Sequence, residues 1–306
     1  MTAAPVVVLA GGTGGAKLAR GMLDVGGDDL VVVANTADDT DVYGAAVSPD
    51  PDLVTFWLAD RIDERGWGLE GDTFQVMDML RELGADVWFK LGDADLAWCI
   101  ERHRRLADGQ TPTQAHAALT RAIGVTAQVL PMCDEPVRTR VLARDAWLPF
   151  QEFMIRERAL GPVDGVSFDG VAQARPTSEV LEAIAAARAI VIGPSNPVIS
   201  IGPILSVPGM TDALRDARAP VVAVSPIVGG SVLKGPTAEF MTWAGLPLNA
   251  AGIARAYAGI VDGVLADEDQ GVAGVALRVA DTMMADAVGR RAVAQSALDL
   301  ALELEA

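Results

Sequence analysis

The feature that most limits the fold of this chain is an uncharged apolar pentad followed at once by a cluster of glycines. Val6–Ala10 is apolar at every position, and Gly11-Gly12-Thr13-Gly14-Gly15-Ala16-Lys17 comes directly after it. A strand with no polar face is buried on both sides, the setting of a parallel strand covered by helices. Ala16–Leu23 then has helical spacing, so the chain opens as strand, glycine loop and helix.

The unit recurs. Further strands are predicted at Leu30–Ala34, Val87–Leu91, Ala127–Leu130, Ala189–Ile192, Val221–Val224, Ile260–Leu265 and Val275–Val279. Between them lie a stripe of Phe74, Met77, Leu80 and Leu83, a helix at Leu96–Leu106, and one at Gln114–Ile123 capped by Thr113. Later helices are expected from Thr177 or Ser178 to Ala187, at Met210–Asp216, Thr237–Ala244 and Ile253–Ala258, and at Ala287–Leu304. Strands alternating with helices predict an α/β fold, a three-layer open and mostly parallel sheet. Glu135–Ala174 breaks the rhythm: Val137-Arg138-Thr139-Arg140-Val141 alternates like an antiparallel strand, and Trp147–Ile155 is rich in aromatics. The expected organisation is therefore a nucleotide-binding α/β domain over 1–134 and 176–306, with an inserted subdomain at 135–175 covering the substrate site.

Composition excludes several function classes. Lys and Arg total 24 against 41 Asp and Glu, a net charge of −17. Phosphate backbones and anionic membranes repel such a chain, so no nucleic acid and no membrane partner is expected. Any phosphate it handles is met by backbone dipoles, a few cations or a metal. Cys99 and Cys133 form no CxxC pair, and His103 and His116 sit in helical runs that read as surface. Neither a zinc cluster nor a Ser-His-Asp triad is indicated. The uncharged stretch Ala189–Thr211 is broken by Pro194, Pro197, Pro203 and Pro208, and Met1–Pro5 has no positive region of a signal sequence. A soluble, cytoplasmic protein is the expectation.

Five clusters carry candidate chemistry. In the glycine loop, free N–H groups at a helix start favour an anion. It is no Walker A loop, because Ala16 precedes and Leu18 follows Lys17, and Lys17 also takes the third glycine's place in GxGxxG. The chain's three lysines, Lys17, Lys90 and Lys234, each border a glycine-containing loop, and a compact ammonium suits phosphate. Asn35-Thr36-Ala37-Asp38-Asp39 and Ser48-Pro49-Asp50-Pro51-Asp52 are two acidic loops that either share a hard cation such as magnesium or are solvated turns. Leu91-Gly92-Asp93-Ala94-Asp95, Gly193-Pro194-Ser195-Asn196-Pro197 with Ser200, and Ser225–Gly230 complete the set. All are expected at the carboxyl ends of strands, where open α/β sheets bind ligands.

In order and spacing these blocks, with Leu130-Pro131-Met132 and Asp134, resemble the 2-phospho-L-lactate transferases of deazaflavin coenzyme F-420 biosynthesis, the CofD family. The resemblance implies transfer of a phospholactyl-type group (or its phosphoenolpyruvyl or phosphoglyceryl counterpart) from a guanosine diphosphate conjugate to the terminal ribityl hydroxyl of the deazaflavin FO. GMP leaves and magnesium (Mg2+) assists, and the expected assembly is a homodimer.

Carried over by residue, Gly11, Gly12, Thr13, Gly14 and Gly15 lie at the diphosphate, with Lys17 stabilising charge. Asp38 and Asp50 are the expected metal ligands. Asp39 and Asp52 face substrate, Asp39 accepting the hydroxyl proton. Asn35, Lys90, Gly92, Asp93, Ser195, Asn196, Pro197 and Ser200 contribute to substrate binding, and Trp147, Phe150 and Phe153 help enclose the deazaflavin ring. Two departures stand out: Ala94 where the family has Arg in Gly-Asp-Arg-Asp, and Leu53-Val54-Thr55 after Asp52. The rival reading is a nucleotide-sugar-binding regulator of the gluconeogenesis-factor type, with a similar fold and glycine loop; a dehydrogenase is third.

Overall fold

The computed structural model describes residues 4–233 and 235–305, which leaves Lys234 outside it. The first half runs β1 (Val6–Ala10), α1 (Gly12–Gly26), β2 (Leu30–Ala34), a hairpin of β3 (Thr40–Val42) and β4 (Ala45–Val47), and α2 (Pro49–Leu58). Three helices, α3 (Gln75–Glu82), α4 (Asp93–Ala107) and α5 (Pro112–Ala122), then lead to β5 (Gln128–Pro131). β6 (Arg138–Ala143), β7 (Ala146–Pro149), α6 (Phe150–Ile155) and β8 (Gly165–Asp169) follow. Next come α7 (Ser178–Ala186), β9 (Ala189–Ile192), α8 (Ile201–Ser206), α9 (Met210–Arg215) and β10 (Val221–Val224). A small hairpin of β11 (Ile227–Val228) and β12 (Ser231–Val232) precedes α10 (Thr237–Trp243) and α11 (Ala250–Ala256). β13 (Gly263–Ala266), β14 (Ala276–Val279) and α12 (Ala287–Glu305) finish the chain.

Seven strands pair in the order β14-β13-β10-β9-β1-β2-β5, every neighbour parallel. β1 is interior, with Val8 in register with Val32 on one side and Val191 on the other. Its alternate residues feed two cores. Val6, Val8 and Ala10 pack with α1, α2 and α12, while Val7 and Leu9 pack with α7, α8, α9 and α11. This double burial is why the pentad carries no polar residue. β7, β6 and β8 form a separate antiparallel sheet in that order.

Several sequence expectations change. Val87–Leu91 is not a strand: it has no ladder partner among the described residues, and Val87, Trp88, Phe89 and Leu91 instead pack with Val42, Met77 and Leu96. The Phe89 N–H donates to the Tyr43 hydroxyl at 3.0 Å, a side-chain anchor in place of a sheet bond. α1 begins at Gly12, so the glycine loop is itself the first helical turn. α5 is capped by Thr111, with Gln114 completing a capping box and Pro112 in the first turn, and not by Thr113. Leu83 is 75% exposed. His116 is buried on α5 and Arg102 on α4, because both join a polar network under the site described below. His103 is exposed, as read.

α1 and α12 touch closely at Gly21, where an added Cβ would lie 2.4 Å from the Arg290 carbonyl oxygen. Gly21→Ala is expected to lower stability by about 1–3 kcal/mol despite the better helix propensity of alanine, because backbone must move. Urea denaturation measures it; an unchanged or raised midpoint would remove this contact as a constraint on the fold.

Candidate active site

The carboxyl ends of β1, β2, β9 and β10 open into one cavity of about 810 Å³. Gly11, Gly12, Thr13, Gly14 and Lys17 line it together with Asp38, Asp50, Asp52, Lys90, Gly92, Ser195, Asn196 and Ser200. The glycines are there for close approach: at Gly14 an added Cβ would sit 2.0 Å from the Pro194 carbonyl oxygen. The Ser195 hydroxyl donates to the Gly11 carbonyl, so the β9 loop is stitched to the glycine turn.

Asp50 and Asp52 sit in the first turn of α2, where Pro49 starts the helix and acidic residues favour its amino end. Two residues apart, they face different ways. The Gly12 N–H donates to Asp50 Oδ1 at 2.7 Å, and the Asn35 side-chain amide donates to Asp50 Oδ2 at 3.0 Å. Asn35 is thus a brace behind Asp50 and does not line the cavity. Burial raises the Asp50 pKa to about 6, against the pull of Asn35 and Gly12. Asp38 is pushed well above the usual carboxylate range by burial and by the nearby Asp50 charge. Two desolvated carboxylates that repel each other across a cavity offer only oxygen ligands, and a hard divalent cation fits that donor set.

Asp52 is differently employed. The Arg102 guanidinium grips it, with one N–H to Oδ2 at 3.0 Å and a second to Oδ1, and Trp98 Nε1 donates to Oδ1 at 2.7 Å. His116 lies behind. The Thr55 hydroxyl donates to the Pro51 carbonyl at 2.8 Å, so it accepts from His116 Nε2 at 3.0 Å, which fixes the tautomer. Burial and then Arg102 push the His116 pKa down to about 3, and the ring is neutral. Asp52 reaches the cavity, but its charge belongs to Arg102.

Other expected residues are not brought together. Asp39 lines a second cavity of about 220 Å³ with Arg102, His116 and Arg138, where it accepts from the Ser48 hydroxyl at 2.8 Å. Burial lifts its pKa to about 7. Asp93 caps α3, accepting from the Gln75 and Val76 N–H groups, each at 3.0 Å. Gly15 packs on Ala10 of β1, and Pro197 is off the wall. Ala94 is exposed on the first turn of α4 and does not line the cavity, so the family's Arg has no counterpart there. Phe150 lines the cavity, but Phe153 is a core residue stacked edge-on against Phe240, and Trp147 is off the wall. Lys17 Nζ donates to the Met284 carbonyl at 3.0 Å and Lys90 Nζ lies 3.9 Å from the Phe74 ring centre, so neither waits as an isolated charge.

The aromatic wall comes from elsewhere. Trp67, Phe74, Trp88 and Phe89 face the cavity, with Arg65 stacked 4.8 Å from the Trp67 ring centre. In the sequence, Trp67 and Arg65 lie in an unassigned stretch and the other three within the helix stripe and the supposed strand. Their shared signal is that four aromatics fall within 67–89 of a chain that is only 5% aromatic. Asp95, part of the Leu91–Asp95 cluster but given no role from the sequence, lines the cavity, and burial followed by Asp52 and Asp72 raises its pKa to about 7. Asn196, on the cavity wall, leaves a buried donor unpaired. Its Oδ1 accepts from the Val198 and Ile199 N–H groups at 2.9 and 3.3 Å, which leaves Nδ2 buried with no partner among the described residues.

The model of the family described as 2-phospho-L-lactate transferase CofD matches residues 6–295. A 2-phospho-L-lactate transferase of Methanosarcina mazei is 40% identical, the match covering 86% of this chain and 87% of that one. A phosphoenolpyruvate transferase of Streptomyces griseus is 39% identical over 98% and 99% of the two chains. Among solved structures, a UPF0052-family protein of Bacillus halodurans aligns with a TM-score of 0.64 at 18% identity, covering 97% of this chain and 99% of that one. At that identity the likeness is one of fold.

The electrostatics set a pH dependence. Asp38, Asp39, Asp50 and Asp95 all keep their protons to higher pH folded than unfolded. The native state therefore binds more protons between about pH 4 and pH 7, and stability falls as pH rises through that window. The metal-free protein is expected to lose at least about 2 kcal/mol between pH 5 and pH 8, and Asp38→Asn to lose less. Equal slopes for the two proteins in urea titrations at several pH values would contradict the raised Asp38.

Proposed function

Because the chain belongs to the 2-phospho-L-lactate transferase CofD family, we propose that it moves a phosphorylated three-carbon acid from a guanosine diphosphate conjugate to the terminal ribityl hydroxyl of FO, releasing GMP. One observation carries this reading: a single cavity joins a glycine turn, two desolvated carboxylates and an aromatic wall. Those are the needs of a diphosphate, a divalent cation and a flat ring.

In this reading the hydroxyl oxygen bonds to the phosphorus that bears the acid, the bond from that phosphorus to the oxygen of GMP breaks, and the hydroxyl proton passes to a carboxylate. Position and charge neutralisation matter more than covalent chemistry. The amino end of α1 and the Asn196 amide bind phosphoryl oxygens. Asp38 and Asp50 hold magnesium, which when bound neutralises charge on those oxygens. Asp39, on the other cavity, no longer suits the proton-accepting role. Trp67, Phe74, Trp88 and Phe89 take the deazaflavin ring, in place of Trp147 and Phe153. The acid is phospholactate or phosphoenolpyruvate. The end-to-end similarity to the Streptomyces griseus phosphoenolpyruvate transferase favours the latter.

The test incubates the purified protein with FO, magnesium and each guanosine conjugate in turn, with products weighed by mass spectrometry. GMP and a phosphodiester of FO are expected, in greatest yield from the phosphoenolpyruvate conjugate; no transfer from any donor would end the reading. Asp38→Asn should reduce turnover at least about tenfold, since a lost charge-stabilising contact costs about 1.4 kcal/mol or more. Full turnover by that variant at low magnesium would take Asp38 out of the site.

A further inference from the structure

The turn between β14 and α12 reaches the cavity from the far edge of the sheet, whereas Asp38 comes from the β2 loop. It is held at three points. Asp281 accepts from the Met283 N–H at 2.8 Å, Asp286 accepts from the Gly289 N–H at 2.8 Å, and the Met284 carbonyl accepts from Lys17 Nζ at 3.0 Å. The Met284 side chain is buried in the core shared by α1, α2 and α12. A backbone fixed in this way gives its side chains little freedom to find other partners.

Thr282 lies in the middle of this turn, only 3% exposed, on the wall of the large cavity. Its hydroxyl is buried and has no hydrogen-bond partner among the described residues. A buried hydroxyl left unpaired costs free energy, and a valine of the same shape would avoid that cost. The Asn196 amide poses the same problem on the β9 loop, where its Nδ2 is also buried with no partner among the described residues. Lys17 ties the turn to α1, because it leaves the second turn of that helix, next to the glycines, and ends on Met284.

We propose that the Thr282 hydroxyl is a specificity-determining contact to an oxygen of the donor nucleoside diphosphate, and that Lys17 is the positioning residue that holds its turn against the glycine end of α1. The proposal rests on the transferase reading for the identity of the nucleotide. The acceptor ring is served by the wall at 67–89 and does not depend on Thr282.

The experiment compares wild type, Thr282→Val and Thr282→Ser. GDP with magnesium and FO are titrated calorimetrically into each, and the ligand-free proteins are melted. Thr282→Val should weaken GDP binding about three- to tenfold, the loss of one neutral hydrogen bond, while leaving FO affinity within about twofold. Its ligand-free melting temperature should equal or exceed that of wild type, because the unpaired hydroxyl is gone. Thr282→Ser should bind GDP nearly as wild type does. A loss of GDP affinity below about threefold, or an equal loss for FO, overturns the proposal. So does a lower melting temperature for Thr282→Val, which would reveal an internal partner for the hydroxyl. A wild type that binds no GDP at all overturns the transferase reading and this contact with it, whereas normal GDP binding by Thr282→Val sinks the contact alone.

Discussion

The site is organised around one carboxylate. Asp50 takes the Gly12 N–H on one oxygen and the Asn35 amide on the other, and so ties together the glycine turn after β1, the loop after β2 and the start of α2. A buried carboxylate is tolerated only when its oxygens are hydrogen-bonded, and here the two donors come from the segments that follow two adjacent strands of the sheet. The same contacts set where its charge sits, beside Asp38, and leave Asp38 as the less satisfied partner. Burial is the main reason both hold protons above the ordinary carboxylate range, and the Asp50 charge pushes Asp38 further, so a cation would be welcome.

Beneath this pair lies a second polar layer. Asp52, Arg102, Trp98, Thr55 and His116 join α2, α4 and α5 through hydrogen bonds inside the protein. Removing Asp52 or Arg102 would strand a buried charge, so the network holds the helices in one arrangement even where its net stabilisation is small. It also separates the two cavities, with Asp38 on one side and Asp39 on the other, although the residues adjoin in the chain.

The aromatic wall has a different support. Asp72 accepts from the Ala94 and Asp95 N–H groups at the start of α4, and Asp93 accepts from the Gln75 and Val76 N–H groups at the start of α3. Asp72, just before α3, caps α4, and Asp93, in the first turn of α4, caps α3. This reciprocal capping gives an excursion outside the main sheet a defined geometry. Arg65 and Lys90, stacked on Trp67 and Phe74, add cations to a wall that is otherwise apolar.

Sequence alone determined the layered fold. The unbroken apolar pentads at Val6–Ala10 and Leu30–Ala34, and the alternation with helices, admit little besides a parallel sheet covered on both faces. It also marked the glycine turn, the two acidic loops and the Gly193–Pro197 cluster, because backbone approach and dense short polar residues leave a local trace, while the choice of Asp38 and Asp50 within those loops came from the family resemblance. Tertiary structure decided the rest. Val87–Leu91 has the apolar pattern of a strand, yet with no neighbour to pair with it becomes a wall of the cavity. His116 and Arg102 read as surface within their own helices and are buried only because Asp52 and Thr55 arrive from α2. Thr282 has no local signature at all: it becomes a cavity residue because Lys17, 265 positions earlier in the chain, draws the Met284 carbonyl in beside α1. Local propensity encodes the elements, whereas the partner of a buried polar atom is set by which elements meet, and that information is spread across the whole chain.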